Sequence, residues 1–109
     1  TYLAAYSRMG GDWQAAIEPG LSAQGALPAL PGHDWVATGS GFDAFDWLRG
    51  AYSAQVGNRI EGDLPRAGAV ARVAARKLAR GESMPAEQAA PLYLRDKVAM
   101  TTRERQAAK

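Results

Sequence analysis

A glycine-rich segment in the middle of the chain has the spacing of a phosphate-binding turn. Residues 39–44 are Gly-Ser-Gly-Phe-Asp-Ala, which matches the G-x-G-x-x-G/A pattern of dinucleotide-binding proteins. A strand is predicted before it at 35–38 and a short helix after it at 42–48. That helix has barely two turns, no second parallel strand is expected at the required distance, and Asp43 would place a like charge beside a pyrophosphate. We therefore interpret the segment as a structural glycine turn.

Few other side chains have the types or the spacing that catalysis needs. His33 is the only histidine and there is no cysteine. A Ser/His/Asp relay or a zinc site would therefore have to be built around this one imidazole. Asp43 and Asp46 lie three residues apart on one predicted helix face, but two carboxylates do not make a calcium or magnesium cage. We expect no cofactor, no bound metal and no intrinsic peptidase, ATPase or dehydrogenase activity.

The composition is that of one globular domain or a piece of one. The chain has 109 residues, of which 47% are apolar and 22% are charged. The absence of cysteine fits a reducing compartment, no apolar run approaches the ~20 residues that span a bilayer, and the first residues do not resemble a signal peptide. We therefore expect a cytoplasmic protein that does not bind membranes.

The elements that would position these residues are predicted to be strands alternating with short helices. Residues 2–7 and 13–18 are rich in aromatic and apolar side chains and flank a Gly-Gly pair, which predicts a β-hairpin. Residues 19–33 contain three prolines and three glycines and are predicted to be a connector. The three tryptophans fall in the predicted strands and the short helix, so we expect them in the core rather than stacked on nucleic-acid bases.

The most regular pattern predicts a helix over residues 64–80. Asp63 is placed to cap its N-terminus, Pro65 lies in its first turn, and Gly81 stands where a C-terminal cap belongs. One face of this helix is apolar at i, i+3, i+4 spacing and consists of Ala67, Val70, Ala71, Ala74 and Leu78. We expect this face to pack on a sheet formed by 2–7, 13–18 and 35–38.

Basic residues are concentrated in the second half of the chain. Residues 1–63 hold three basic and seven acidic side chains and residues 64–109 hold ten and four, so net charges of −4 and +6 make up the +2 of the chain. Arg72, Arg76 and Arg80 form a stripe on the predicted helix and are expected to face solvent. The asymmetry indicates that the second half binds an acidic partner, or the Arg and Lys side chains simply solubilise an alanine-rich helix. Both interpretations stay open.

Four short motifs follow one another along the chain, and their order and spacing can be compared with those of known protein families. They are Tyr-Leu-Ala-Ala-Tyr at 2–6, Asp-Trp-Val-Ala-Thr-Gly-Ser-Gly-Phe at 34–42, Leu-Pro-Arg-Ala at 64–67 and Ala-Pro-Leu-Tyr-Leu-Arg at 90–95. In this order and at this spacing the sequence resembles the second half of proteins of the TsaB family, also called YeaZ. The positions that match the family's motifs are Gly39, Gly41, Pro91, Tyr93 and Arg95.

The resemblance implies an α/β fold of the actin-like ATPase type, related to RNase H, with two lobes. Residues 1–100 would form the C-terminal lobe, an incomplete unit with a mixed sheet and helices, and 101–109 a polar, flexible tail. The first lobe would lie outside this sequence, which leaves a strand edge near Tyr2 that can pair with that lobe or with a second copy. The motif at 91–95 is expected to dock its apolar residues on the core and to leave Arg95 at the surface.

The function implied is that of a non-catalytic scaffold subunit in the complex that makes threonylcarbamoyladenosine next to the anticodon of tRNA. Its partners would be the catalytic paralogue TsaD and the ATPase TsaE. Two alternatives stay open. A free-standing tRNA-binding or RNA-binding module would contact phosphates through Arg72, Arg76, Arg80 and Arg95, and its binding would weaken steeply with salt. A glycoprotease-like hydrolase follows from older naming of the superfamily, although one histidine and no cysteine disfavour it.

Overall fold

A computed structural model describes residues 1–94, which form a mixed α/β structure with two small sheets. The elements are, in chain order, β1 (Tyr2–Met9), β2 (Asp12–Leu21), β3 (Trp35–Thr38), α1 (Ser40–Ala44), α2 (Asp46–Ala51), β4 (Val56–Ile60), α3 (Ala67–Ala79) and a 3-10 turn (Ala86–Gln88). The predicted α/β class is confirmed. Arg95 and the predicted tail at 101–109 lie outside the described residues.

The predicted β-hairpin is confirmed, and both of its strands are longer than expected. β1 and β2 pair antiparallel, with Met9 opposite Asp12 at the closed end. Gly10 and Gly11 connect them with φ of 58° and 85°, a left-handed backbone that glycine adopts without a steric penalty. β2 continues to Leu21, so it includes three residues that the sequence placed in the connector.

The second sheet contains a strand that the sequence did not predict. β3 has the predicted bounds, and β4 pairs with it in parallel, from Trp35 opposite Val56 to Thr38 opposite Ile60. The prediction that no second parallel strand follows the glycine turn at the required distance was therefore wrong. β4 has the sequence Val-Gly-Asn-Arg-Ile, in which Gly and Asn disfavour a strand. The strand forms because it pairs with β3, and its local sequence does not predict that pairing.

Two short helices connect β3 to β4, where the sequence predicted one over 42–48. Phe45 breaks the helix because its backbone is extended, with φ −119° and ψ 105°. Its N–H donates to the carbonyl of Gly41 and ends α1, while its own carbonyl accepts from the N–H of Leu48 and begins α2. Asp43 and Asp46 consequently belong to different helices and do not share a face.

The buried core is small and lies around α2. The buried apolar residues of the described chain are Ala37, Leu48 and Tyr52. The hydroxyl of Tyr52 donates to the carbonyl of Pro28 at 2.7 Å, which attaches the connector to the core. The prediction of core tryptophans was wrong for Trp13, which is exposed because its sheet face has no covering layer; the other two are half-buried.

The predicted helix over 64–80 is α3, with a different start. Arg66 occupies the N-cap position, so the prediction that Asp63 caps the helix was wrong. Asp63 instead accepts a hydrogen bond from the hydroxyl of Thr38 at 3.3 Å. The predicted end is confirmed: Gly81 has φ 76°, its N–H donates to the carbonyl of Leu78, and the next N–H reaches back to Lys77. These two bonds form a Schellman motif.

The expected packing of α3 on a three-stranded sheet was wrong in both parts. β1 and β3 belong to separate two-stranded sheets. None of the 13 residues of α3 is buried, and Val70 and Leu78 are 66% and 67% exposed. The helical spacing determines which face is apolar, but it carries no information about what covers that face. Within residues 1–94, no helix is both long and apolar enough to cross a bilayer.

Candidate functional site

An apolar groove of about 690 Å³ separates the hairpin from the β3–β4 sheet. Its walls include five consecutive residues of β1, from Leu3 to Ser7, and all four residues of β3. Because successive side chains of a strand point to opposite faces, a run of consecutive lining residues means that the strand edges border the groove. Within the described residues β1 pairs with β2 and β3 with β4, so the edges that face each other offer backbone donors and acceptors to a bound chain.

The groove is lined by aromatic side chains and by a few polar ones. Tyr6 and Trp13 contribute from the hairpin and Trp35 from β3. The polar lining includes His33 and Asp34, whose Nδ1 and Oδ2 atoms lie 2.6 Å apart and are exposed. Tyrosine and tryptophan are enriched in the buried centre of protein interfaces. The groove therefore has the composition of a surface that binds an apolar partner segment.

The glycine turn before α1 has a structural explanation. Gly39 has φ 100° and ψ 160°, a conformation essentially limited to glycine. A Cβ on Gly41 would lie 2.7 Å from the Oγ1 atom of Thr1, so a larger residue at this position would require the Thr1 side chain to move. The parallel strand β4 supplies one part of a dinucleotide-binding context, but α1 has only five residues and Thr1 fills the space beside Gly41.

Two arginines that the sequence analysis did not single out hold this turn in place. Arg49 and Arg59 both donate to the carbonyl of Phe42, the latter at 3.3 Å. Arg49 also forms an ion pair with Asp46, and Arg59 forms one with Glu61. The i, i+3 spacing of Asp46 and Arg49 was the one sequence signal for these contacts. Asp46, considered above as a cation ligand, thus binds a guanidinium of its own helix.

The arginine stripe of α3 divides into two parts. Arg72 and Arg76 are exposed, as predicted. Arg80 is engaged: its Nη2 lies 2.7 Å from Oδ2 of Asp12, at the hairpin turn, and its Nε lies 2.7 Å from Oε1 of Glu82. Ion pairs at this level of exposure stabilise proteins only modestly. The pair with Asp12 nevertheless attaches the C-terminal end of α3 to the tip of the hairpin.

The carboxyl of Asp12 gives this attachment a pH dependence. The backbone N–H of Trp13 donates to Oδ1 at 2.9 Å and, together with the charge of Arg80, lowers the pKa of Asp12 below its ordinary value. The folded state therefore binds the proton less tightly than the unfolded chain. The stabilisation from Asp12 is present above the unfolded pKa and is lost as the pH falls through the folded pKa.

We therefore expect Asp12→Asn to destabilise the chain at neutral pH and to have progressively less effect as the medium is acidified below about pH 4. The amide keeps an oxygen that can accept from Trp13 but cannot carry the charge. Urea unfolding at a series of pH values measures the difference between the two proteins. A difference that stays constant down to about pH 2 would contradict the assigned role of the charge.

The described part of the motif at 91–95 is mostly exposed to solvent. Leu92 and Tyr93 are 70% and 77% exposed, so the expected docking of this motif on the core was wrong for both. Pro91 is exposed and Leu94 is half-buried. Arg95 falls beyond the described range.

The described residues thus present three exposed surfaces: the aromatic groove, the apolar face of α3 and the segment 91–94. In residues 1–94 no three His, Cys, Asp or Glu side chains gather where they could hold a metal ion. Comparison of the chain with protein-family models, with curated proteins and with solved structures gives no match.

Proposed function

We propose that the chain is a non-catalytic partner subunit of the complex that makes threonylcarbamoyladenosine next to the anticodon of tRNA. In this proposal residues 1–100 are the C-terminal lobe of a TsaB-like protein with an actin-like fold. It acts in the cytoplasm through a TsaD-like catalytic paralogue, together with a TsaE-like ATPase. The order of the four motifs supports the assignment to this family. In the structure the second motif, residues 34–42, forms β3, the glycine turn and the start of α1, which agrees with the strand and turn expected there.

The observation that carries the proposal is the exposure of the terminal motif. Leu92 and Tyr93 are large apolar side chains side by side in solvent, in the motif that most distinguishes the resemblance. Tyrosine is over-represented among the residues that dominate binding energies at protein interfaces. Pro91 restricts the backbone before them, which lowers the entropy lost when the segment is ordered by a partner. The segment therefore has the properties of a partner-binding site.

We expect Tyr93→Ala to raise the dissociation constant for a TsaD-like paralogue by about tenfold or more, the effect of removing a central interface residue. Isothermal titration calorimetry with the purified paralogue measures this constant. Tyr2→Ala is the control, because Tyr2 is also an exposed tyrosine but lies on the hairpin, outside the terminal motif. This substitution should change the constant less than about threefold.

Two results would contradict the proposal. One is that the unsubstituted chain does not bind the paralogue at all. The other is that Tyr2→Ala and Tyr93→Ala weaken binding equally, which would mean that the terminal motif has no particular part in it.

A second candidate is direct binding of tRNA, which the exposure of Arg72 and Arg76 one turn apart favours. Phosphate contacts release counterions, so binding of this kind weakens steeply as salt rises, and its salt dependence falls when an arginine is removed. Filter binding of tRNA to the chain and to Arg76→Ala at several salt concentrations separates the two functions. The scaffold function predicts little binding at any salt concentration.

A further inference from the structure

The two walls of the groove approach each other closely at one end. Thr1, which precedes β1, lies against the glycine turn that follows β3, where a Cβ on Gly41 would be 2.7 Å from its Oγ1 atom. The backbone of Thr1 also exchanges two hydrogen bonds of 2.7 Å with Ser22, which follows β2. The open end of the hairpin is therefore fixed beside the C-terminal end of β3.

The tip of the hairpin, at the opposite end of its strands, is attached to the rest of the chain in a different way. Within residues 1–94, one hydrogen bond joins the two strands of the hairpin to residues that follow Leu21. It is the contact between Nη2 of Arg80 and Oδ2 of Asp12, at 2.7 Å. The position of the tip therefore depends on the C-terminal end of α3, where Arg80 is the C-cap residue.

The N-terminal end of α3 is attached to the other wall of the groove. Asp63, three residues before the N-cap Arg66, accepts a hydrogen bond from the hydroxyl of Thr38 at 3.3 Å. Thr38 is the last residue of β3 and lines the groove. The segment from Asp63 to Arg80, here called the strap, thus connects β3 with the tip of the hairpin.

The strap is held by its ends. None of the 13 residues of α3 is buried, so packing along the helix contributes little to its position. A helix of this length is about 20 Å long and keeps its shape when one end is released. The contact at the hairpin tip is an ion pair between partly exposed side chains, a kind of pair that stabilises only weakly. It therefore opens more readily than the hydrogen-bonded sheets on either side.

We propose that the strap is a conformational device that sets the width of the groove. The walls stay together where Thr1 lies against Gly41, and this end acts as the hinge. Release of Asp12 by Arg80 lets the hairpin swing away from β3, so that the groove widens from its far end. The inference concerns a movement within one chain and goes beyond the proposed function, whose contact with a TsaD-like protein was assigned to residues 91–94.

The movement can be measured as a distance across the groove in the full chain. The sequence has no cysteine, so Gln14→Cys on β2 and Ala54→Cys beyond α2 provide two unique positions for nitroxide labels, both exposed. Double electron–electron resonance gives the distribution of distances between the labels. Arg80→Gln should increase the share of longer distances by up to about fivefold, the factor that corresponds to losing an exposed ion pair.

Two further variants show whether the contact itself is responsible. Arg76→Gln removes the same charge one turn earlier, from an exposed arginine that forms no ion pair within the described residues, and should leave the distribution unchanged. Asp12→Asn should act like Arg80→Gln, and the double variant should add nothing to either, because all three lose the same contact. Far-UV circular dichroism checks that each labelled variant keeps its secondary structure.

Three results would overturn the proposal. The first is a distribution that Arg80→Gln does not change, and the second is an equal change with Arg76→Gln. The third is an additive effect in the double variant, which would mean that Arg80 and Asp12 act separately. These measurements use no TsaD-like protein, so this inference and the proposed function can fail independently.

Discussion

Replacing Leu48 with alanine is expected to lower the free energy of unfolding by about 2 to 5 kcal/mol. Leu48 is 1% exposed, and within residues 1–94 no other large side chain is buried as completely. Its Cδ2 atom approaches the backbone at Gly41, and its main chain bonds to Phe45 on one side and Tyr52 on the other. These neighbours are held by backbone hydrogen bonds, so we expect the structure to collapse only partly into the cavity that the substitution leaves.

This loss is a large part of the 5 to 15 kcal/mol by which domains are typically stable, so the variant should be partly unfolded at moderate temperature. Urea unfolding followed by tryptophan fluorescence measures the change in free energy. Leu64→Ala makes the same chemical change at a residue that is 70% exposed and outside any helix or strand, and should stay within about 0.5 kcal/mol. Equal losses for the two variants would mean that the core does not lie around α2.

The parts of the fold that sequence reasoning predicted correctly are those that local chemistry determines. The hairpin follows from two apolar runs around Gly10 and Gly11, where both residues need a left-handed backbone. The end of α3 follows from Gly81, for the same reason. Strand β3 is a short apolar run that ends at Thr38, directly before Gly39. In each case the residues that encode the feature are adjacent in the chain.

The parts that were predicted wrongly depend on residues far apart in sequence. β4 is a strand because it pairs with β3 across two helices, although its own composition disfavours one. Asp63 accepts a hydrogen bond from Thr38 instead of capping α3, and the residues near Asp63 in the sequence do not predict that contact. The amphipathic pattern of α3 is real, but it does not specify whether the covering surface belongs to the same chain or to another molecule.

The candidate site shows the same division. Arg72 and Arg76 are exposed, as predicted from helical spacing, but Val70 and Leu78 on the apolar face are exposed as well. The groove could not be, because it is formed by the edges of two strands that the sequence analysis placed in one sheet. Edge contacts involve backbone atoms, and side-chain patterns contain little information about them. Arg49 and Arg59 were missed for a related reason, since their shared acceptor is the carbonyl of Phe42.

The second large effect is expected at the glycine turn, where Gly39→Ala should destabilise the chain by about 1 to 3 kcal/mol. Gly39 joins β3 to α1 with φ 100° and ψ 160°, which a residue with a Cβ rarely adopts. No atom lies within 4 Å of where that Cβ would be, so the cost comes from the backbone conformation and not from a clash. Relaxing the backbone would move α1 relative to β3 and disturb the contact between Gly41 and Thr1.

Gly50→Ala provides a control with the opposite expected sign. Gly50 lies in α2 with a helical backbone and open space around it, so alanine should stabilise the chain by about 0.5 to 1 kcal/mol through its higher helix propensity. Thermal unfolding of both variants beside the unsubstituted chain measures the two shifts in Tm. If Gly39→Ala melts as high as the unsubstituted chain, the turn does not require glycine for its conformation. A loss at Gly39 with a gain at Gly50 would instead mean that the glycine-rich motif is needed here for backbone geometry.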